Sequence, residues 1–176
     1  MQIPEPWVLS IDRTQWQFGG SIFNILTLGI VHEGIAFPVV YLLLDKRGNS
    51  NTDERIDLMQ EFWSLFPQQR IAFLTADREF VGKVWLDYLL QRPKTPFRIR
   101  IRESELLSDG SKSLKASVLF ADLQPNQLKV LAKRRRLWGR WVYVAATRLE
   151  DRSKAAAGHG PLTPKCNLRL RQKVGN

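Results

Sequence analysis

The chain is 176 residues long, with 27 Lys and Arg against 17 Asp and Glu, a formal net charge of +10 and 44% apolar residues. That is enough apolar sequence for one core, which excludes disorder throughout. The single cysteine, Cys166, excludes an internal disulfide, and with only His32 and His159 beside it a structural zinc site is excluded too.

Met1 to Trp7 has no basic segment followed by an apolar run, so no secretory signal is expected. The longest apolar run, Ile35 to Leu44, is interrupted by Pro38 and is about half a membrane span. The expectation is a cytoplasmic protein without a membrane partner, whose charge favours a polyanion. Residues 151–176 hold six of the basic residues and one acid, half of the +10, and none of the aromatic residues. A boundary is expected near residue 150, followed by a disordered basic tail.

Trp7 to Trp16 reads as a first strand, with Leu9 and Ile11 on one face and Val8, Ser10 and Asp12 on the other. Gly19-Gly20 turns the chain into a second strand, Ile22 to Val31, and Glu33-Gly34 into a third, Ile35 to Leu44. Pro38 cannot donate to a ladder, so the third strand belongs at a sheet edge. Asn51-Thr52-Asp53-Glu54 has the form of a capping box. The helix it opens places Ile56, Met59, Trp63 and Phe66 on one stripe and stops at Pro67. Arg70 to Ala76 is a buried fourth strand, ending at Asp77. A second helix follows, with Val81, Val84, Trp85 and Tyr88 inward, and then the alternating strand Phe97 to Arg102. Beyond Asp109-Gly110 the pattern is β-like at Ser117–Phe120 and Trp141–Thr147, with a basic stretch between.

The order β-β-β-α-β-α-β predicts an α/β fold with a mixed sheet whose central parallel pair is strands one and four. In that arrangement Asp12 and Asp77 sit on neighbouring strands, Asp12 within or near the end of the first and Asp77 just past the end of the fourth. Two carboxylates so placed are hard oxygen ligands for Mg²⁺ or Mn²⁺, the cofactors of two-metal phosphoryl chemistry. Each Asp is equally the kind of residue that ends a strand or caps a turn.

The stretches Ser10-Ile11-Asp12-Arg13-Thr14-Gln15-Trp16, Gly48-Asn49-Ser50 and Ala76-Asp77-Arg78-Glu79-Phe80 resemble insertion-sequence transposases of the DDE class. The group concerned bears a Tyr-x2-Arg-x3-Glu-x6-Lys signature. The resemblance covers roughly residues 8–150 and implies a ribonuclease H-like core over 7–106. A β-rich insertion would occupy 107–150, and the tail 151–176 would lie outside the fold. It implies metal-dependent DNA cleavage and strand transfer, with Asp12 and Asp77 as the first two catalytic acids. The implied partners are transposon ends, target DNA and a second transposase subunit.

The third acid of that signature is missing. Tyr41 is followed by Leu44 where Arg is needed, Tyr88 by Gln91 and Tyr143 by Ala146. Glu103 and Glu105 come too early, and Glu150 directly follows a strand. The expectation is a partial catalytic domain, inactive alone, that lacks the helical DNA-binding region and ends in a segment translated out of the ancestral frame. The alternative is a non-catalytic DNA-binding or transposase-interacting fragment that inhibits an intact copy. A nuclease of the same fold, such as a resolvase, is a further class, less close to the two Asp motifs.

Basic residues complete the candidates. Lys129, Lys133, Arg134, Arg135, Arg136 and Arg140 have no acid among them and are flanked by Trp138 and Trp141. Such a cluster neutralises phosphates while an aromatic stacks on an exposed base, or else forms a solvated loop with both tryptophans in a core. Arg98, Arg100 and Arg102 share one face of the fifth strand, as a DNA-backbone stripe or as edge charge against aggregation. Two roles are open to Arg13 and Arg78: gripping a phosphate beside the acids, or ion pairing with Glu79. His32 and Cys166 carry no expected chemistry.

Overall fold

The computed structural model describes residues 3–91, 95–148 and the strand 166–171. The chain divides into two compact units, one running through Ile99 and the other starting at Arg100.

The first unit begins with three antiparallel strands, β1 (Trp7–Phe18), β2 (Ser21–His32) and β3 (Ile35–Leu44). Helix α1 (Thr52–Leu65) then carries the chain across to β4 (Ile71–Ala76), which lies parallel to β1. Helix α2 (Lys83–Gln91) leads in the same way to β5 (Phe97–Ile101), parallel to β4. The sheet order is β3-β2-β1-β4-β5, so β3 is at the edge and β1–β4 is a central parallel pair, as the sequence pattern predicts, with β4–β5 a second.

Pro38 accounts for the edge position of β3. It stands opposite Gly29, next to a register shift at Leu28/Gly29. A side chain at Gly29 would put its Cβ 3.0 Å from the Phe37 carbonyl oxygen, a tight approach that a glycine relieves where the two strands close together.

The predicted capping box opens α1. Asn51 Oδ1 accepts the Glu54 N–H at 2.9 Å, and Glu54 Oε2 accepts the Asn51 N–H at 2.7 Å. The buried face of this helix, however, is Arg55, Leu58, Met59 and Phe62. Ile56, Trp63 and Phe66 are only half-buried, so the inward stripe is rotated from the expected one by the inclusion of an arginine. In α2 the buried residues are Trp85, Leu86 and Leu89, whereas Val84 is exposed and Val81 precedes the helix. The expected stripe is again one position out of phase. In the sheet Leu9, Ile11, Leu26, Leu28 and Leu74 are fully buried. Each such side chain contributes on the order of 2 kcal/mol.

The second unit is a set of short antiparallel strands around β10 (Arg140–Arg148), namely β6 (Leu106–Ser108), β7 (Ser113–Lys115), β8 (Leu128–Val130) and β9 (Arg135–Leu137). β10 pairs with β8 and β9, β9 with β6, and β6 with β7. Ser117–Phe120, expected as a strand, falls instead in a single helical turn, α3 (Ala116–Leu119). Ala116 and Phe120, four apart, are buried, while Ser117 and Val118 face solvent, a helical spacing in a segment too short to reveal it.

The tail also departs from expectation. Cys166–Arg171 forms a strand, β11, antiparallel to β10 with Leu168 opposite Ala146. Its sequence alternates Leu and Arg over Leu168-Arg169-Leu170-Arg171, a period-two pattern too brief to outweigh the surrounding composition. The out-of-frame expectation for the rest of 151–176 lies outside the described residues. No helix among the described residues is long and apolar enough to cross a membrane.

Replacing Asn51 by Ala removes one half of the capping box and leaves the Glu54 amide without its partner. Urea denaturation is expected to show a loss of about 1 kcal/mol. An unchanged midpoint would mean that the box is dispensable to α1.

Candidate functional site

The parallel pairing of β1 with β4 runs in register to Ile11↔Ala76. The next residues are Asp12, still within β1, and Asp77, just past the end of β4, and adjacent strands lie about 4.8 Å apart. The two carboxylates expected to act together therefore lie at the same level on neighbouring strands, where the β1–β4 pairing ends, although β1 itself continues to Phe18. Both are exposed. Each is oriented by its own backbone: Asp12 Oδ1 accepts the Arg13 N–H at 2.8 Å, and Asp77 Oδ1 accepts the Arg78 N–H at 2.7 Å.

Asp12 opens onto a groove of about 480 Å³ on the outer face of β1–β3, lined also by Ser10, Thr14, Trp16, Thr27, Gly29 and Pro38. Arg13, the next residue, points to the opposite face because side chains alternate along a strand. There its guanidinium donates to both carboxylate oxygens of Glu79, at 3.2 and 3.3 Å. It also reaches Asn24 Oδ1 at 3.2 Å and Asn49 Oδ1 at 3.3 Å. Of the two roles open to Arg13, the ion pair with Glu79 is formed. Arg78 remains exposed beside Asp77.

Two residues of this network carry no motif. Asn24, 2% exposed, donates to the carbonyls of Lys46 and Gly48 at 3.0 and 2.8 Å and so ties the loop after β3 to β2. Arg55, on the buried face of α1, binds the segment that follows Asp77. The available signal was a polar residue at an inward-facing position: Asn24 within an apolar strand, and Arg55 at helical spacing with Leu58, Met59 and Phe62.

As metal ligands, Asp12 and Asp77 present hard oxygens, the chemistry that Mg²⁺ or Mn²⁺ prefers. Mg²⁺ is ordinarily held by one or two carboxylates with water and substrate phosphate completing its shell, a set that this pair fits. Among the described residues no group of three or more His, Cys, Asp or Glu is placed to hold a metal through protein ligands alone.

The second unit contains the basic cluster. A cavity of about 580 Å³ is lined by Asp109, Ser111, Lys133, Arg134, Arg135 and Trp141. Lys133 and Arg134 are exposed on the loop before β9, and Arg136 is exposed within it. Arg135 folds back onto the carbonyls of Lys133 and Arg134, at 3.4 and 3.2 Å. Asp109 takes little part in neutralising them. Its Oδ1 accepts the Ser111 and Lys112 N–H groups and the Ser111 hydroxyl, and these bonds hold its carboxyl well below the usual range.

Lys129, grouped with these residues by sequence, is engaged elsewhere. Its ammonium binds both oxygens of Asp122 at 2.6 and 2.8 Å, an acid just outside the span that reads as free of acids. That bond is the main cause of the lowered Asp122 pKa. Trp138 and Gly139 form the two-residue turn between β9 and β10, with φ of 46° and 84°. A turn with positive φ at both central residues matches the twist of a hairpin, and Gly139 takes it without strain. Trp138 and Arg140 are half-buried, and Arg140 donates to the Gly139 carbonyl at 3.4 Å. Trp141 is 43% exposed and supplies the aromatic wall of the cavity. In β5, Arg98 stacks 3.8 Å from the centre of the Phe73 ring.

No protein-family model matches the chain, and no curated protein matches it. Among solved structures it is similar to a piggyBac transposase, determined by cryo-EM as a synaptic complex with hairpin DNA. The identity is 12% and the TM-score 0.53, over 96% of this chain and 34% of that one. At this identity the likeness is one of fold. The chain has a transposase-like fold and spans about a third (34%) of the length of the transposase it matches.

Glu79→Ala removes the acceptor for Arg13, which retains Asn24 and Asn49. The pair is partly exposed, so chemical denaturation is expected to show a loss of about 1 kcal/mol. A loss indistinguishable from zero would mean that the network does not hold the two segments together.

Proposed function

We propose that the chain is a DNA-handling part of a DDE-class, insertion-sequence type transposase. Residues 7–106 form its ribonuclease H-like core, and 107–150 belong to a β-rich insertion. The observation that carries this reading is that Asp12 and Asp77 follow directly on the last parallel pair of adjacent strands, Ile11↔Ala76. The transposase-like fold supports it. So do the Asp12-Arg13 and Asp77-Arg78-Glu79 sequences on which the resemblance rests.

In this reading Asp12 and Asp77 would hold Mg²⁺ or Mn²⁺ together with a DNA phosphate, and the chemistry such an ion would supply is activation of a water or a 3′-hydroxyl and stabilisation of the leaving oxygen. Arg78, exposed next to Asp77, meets the phosphate, while Arg13 orients the acids through Glu79. Lys133, Arg134 and Arg136 neutralise further phosphates, and Trp141 offers a face on which a base can stack. The DNA in question is transposon ends and target DNA, handled together with a second transposase subunit. Cleavage and strand transfer need a third carboxylate besides these two, so the chain alone binds DNA without cutting it.

A second reading, an inhibitory DNA-binding or transposase-interacting fragment, is favoured by the basic cavity, because binding there needs no catalytic centre. Co-expression with an intact relative separates the two: an inhibitor lowers the transposition frequency and a catalytic remnant leaves it unchanged.

Purified chain is expected to bind duplex DNA with an affinity that falls steeply with salt. Replacing Lys133 and Arg134 by Ala is expected to flatten the log–log slope by about 2. A slope unaffected by the double substitution would remove the cavity from the DNA contact. Asp12→Asn and Asp77→Asn are each expected to weaken Mn²⁺ binding by about tenfold or more while leaving DNA affinity intact. Free Mn²⁺ measured by electron paramagnetic resonance is the readout. Asp77-dependent joining of element ends by the chain alone, with Mg²⁺, would refute the need for a third acid.

A further inference from the structure

Arg55 is 4% exposed, a charged group taken almost wholly out of water. Burial lowers its pKa against the opposing pull of Glu79 and then Glu54, yet a guanidinium stays protonated in proteins. Such a charge is tolerated only where its donors are satisfied.

Arg55 finds its acceptors in two segments. On one side Nε donates to Ser50 Oγ at 2.9 Å, and Nη2 donates to the Ser50 carbonyl. On the other, Nη2 donates to the Glu79 carbonyl at 3.2 Å and Nη1 to the Val81 carbonyl at 3.3 Å. The guanidinium also lies 5.1 Å from the centre of the Phe80 ring. Residues 77–82 connect β4 to α2 without regular structure, closed by a turn in which the Phe80 N–H meets the Asp77 carbonyl at 3.0 Å. Glu79 is thus gripped twice, by its carboxylate through Arg13 and by its carbonyl through Arg55.

We infer that Arg55 is a positioning residue. By holding the Glu79 and Val81 carbonyls against the loop at Ser50, it fixes the direction in which Asp77 leaves β4, and hence its place beside Asp12. This rests on the reading of Asp12 and Asp77 as a metal-binding pair. Lysine cannot replace it, because one ammonium on a flexible stem cannot span acceptors on two segments as the planar fork does.

The test is amide hydrogen exchange of the full chain, unsubstituted and as Arg55→Lys and Arg55→Met, with β1 and β2 as internal reference. Both variants are expected to raise exchange in 77–82 by about tenfold, with the reference unchanged. Arg55→Lys, which keeps the charge and the fold, is also expected to bind Mn²⁺ several-fold more weakly. Unaltered exchange in 77–82, an equal rise in β1 and β2, or full Mn²⁺ affinity in Arg55→Lys would each overturn the inference. An unsubstituted chain that takes no Mn²⁺ overturns the acid-pair reading instead, and the exchange result then decides whether Arg55 holds the loop.

Discussion

The parallel pairing of β1 with β4 is the constraint on which the rest of the first unit depends. Parallel neighbours cannot be joined by a tight turn, so the chain must travel through β2, β3 and α1 before β4 can take its place. That detour puts the antiparallel meander on one side of β1 and sends β3, with Pro38 in it, to the edge. It also makes both strands run in the same direction, so that Asp77, leaving β4, falls level with Asp12, where β1 runs on beside β2 alone. Had β4 been antiparallel to β1, the same two residues would have fallen at opposite ends of the pair.

Register alone does not hold two like charges side by side. The exit from β4 is a loop with one internal turn, and the backbone beyond Asp77 is secured by arginines from two other elements. Their roles differ with burial. Arg13 is partly exposed and contributes a screened ion pair with Glu79, reinforced by Asn24 and Asn49. Arg55 lies in the core, where an unmet donor is costly, so its demand for acceptors constrains the backbone that supplies them. The polar residues behind the acids are therefore as much a part of this end of the sheet as the acids themselves.

The elements with strong local signals were legible in the sequence. The edge strand Ile35–Leu44, the Asn51/Glu54 capping box and the order of strands and helices all follow from turn chemistry and periodicity. The inward faces of the helices were not, because assigning a stripe by apolar residues alone leaves no place for a buried Arg55. Its burial depends on carbonyls some 25 residues downstream, a tertiary fact that no local window contains. The pairing of Lys129 with Asp122 was hidden for a similar reason: the span without acids begins just past the acid that matters. The strand Cys166–Arg171 is short and set in atypical composition, and its pairing with β10 is non-local. The two acids and the basic stretch are candidates that the sequence names, while the network around Arg13, Asn24, Arg55 and Glu79 became visible only in three dimensions.

The division of charge gains meaning from the same geometry. Of the basic residues grouped by sequence, Lys129 is neutralised by Asp122 and Arg135 is folded onto its own loop, whereas Lys133, Arg134 and Arg136 project into solvent. An acid that would otherwise quench them, Asp109, is occupied by three donors of its own turn, so its carboxylate closes the β6–β7 hairpin instead of bridging to the arginines. Electrostatic attraction for a phosphate backbone depends on such uncompensated, solvent-facing cations rather than on net charge. The two carboxylates belong to one unit and this basic surface to the other.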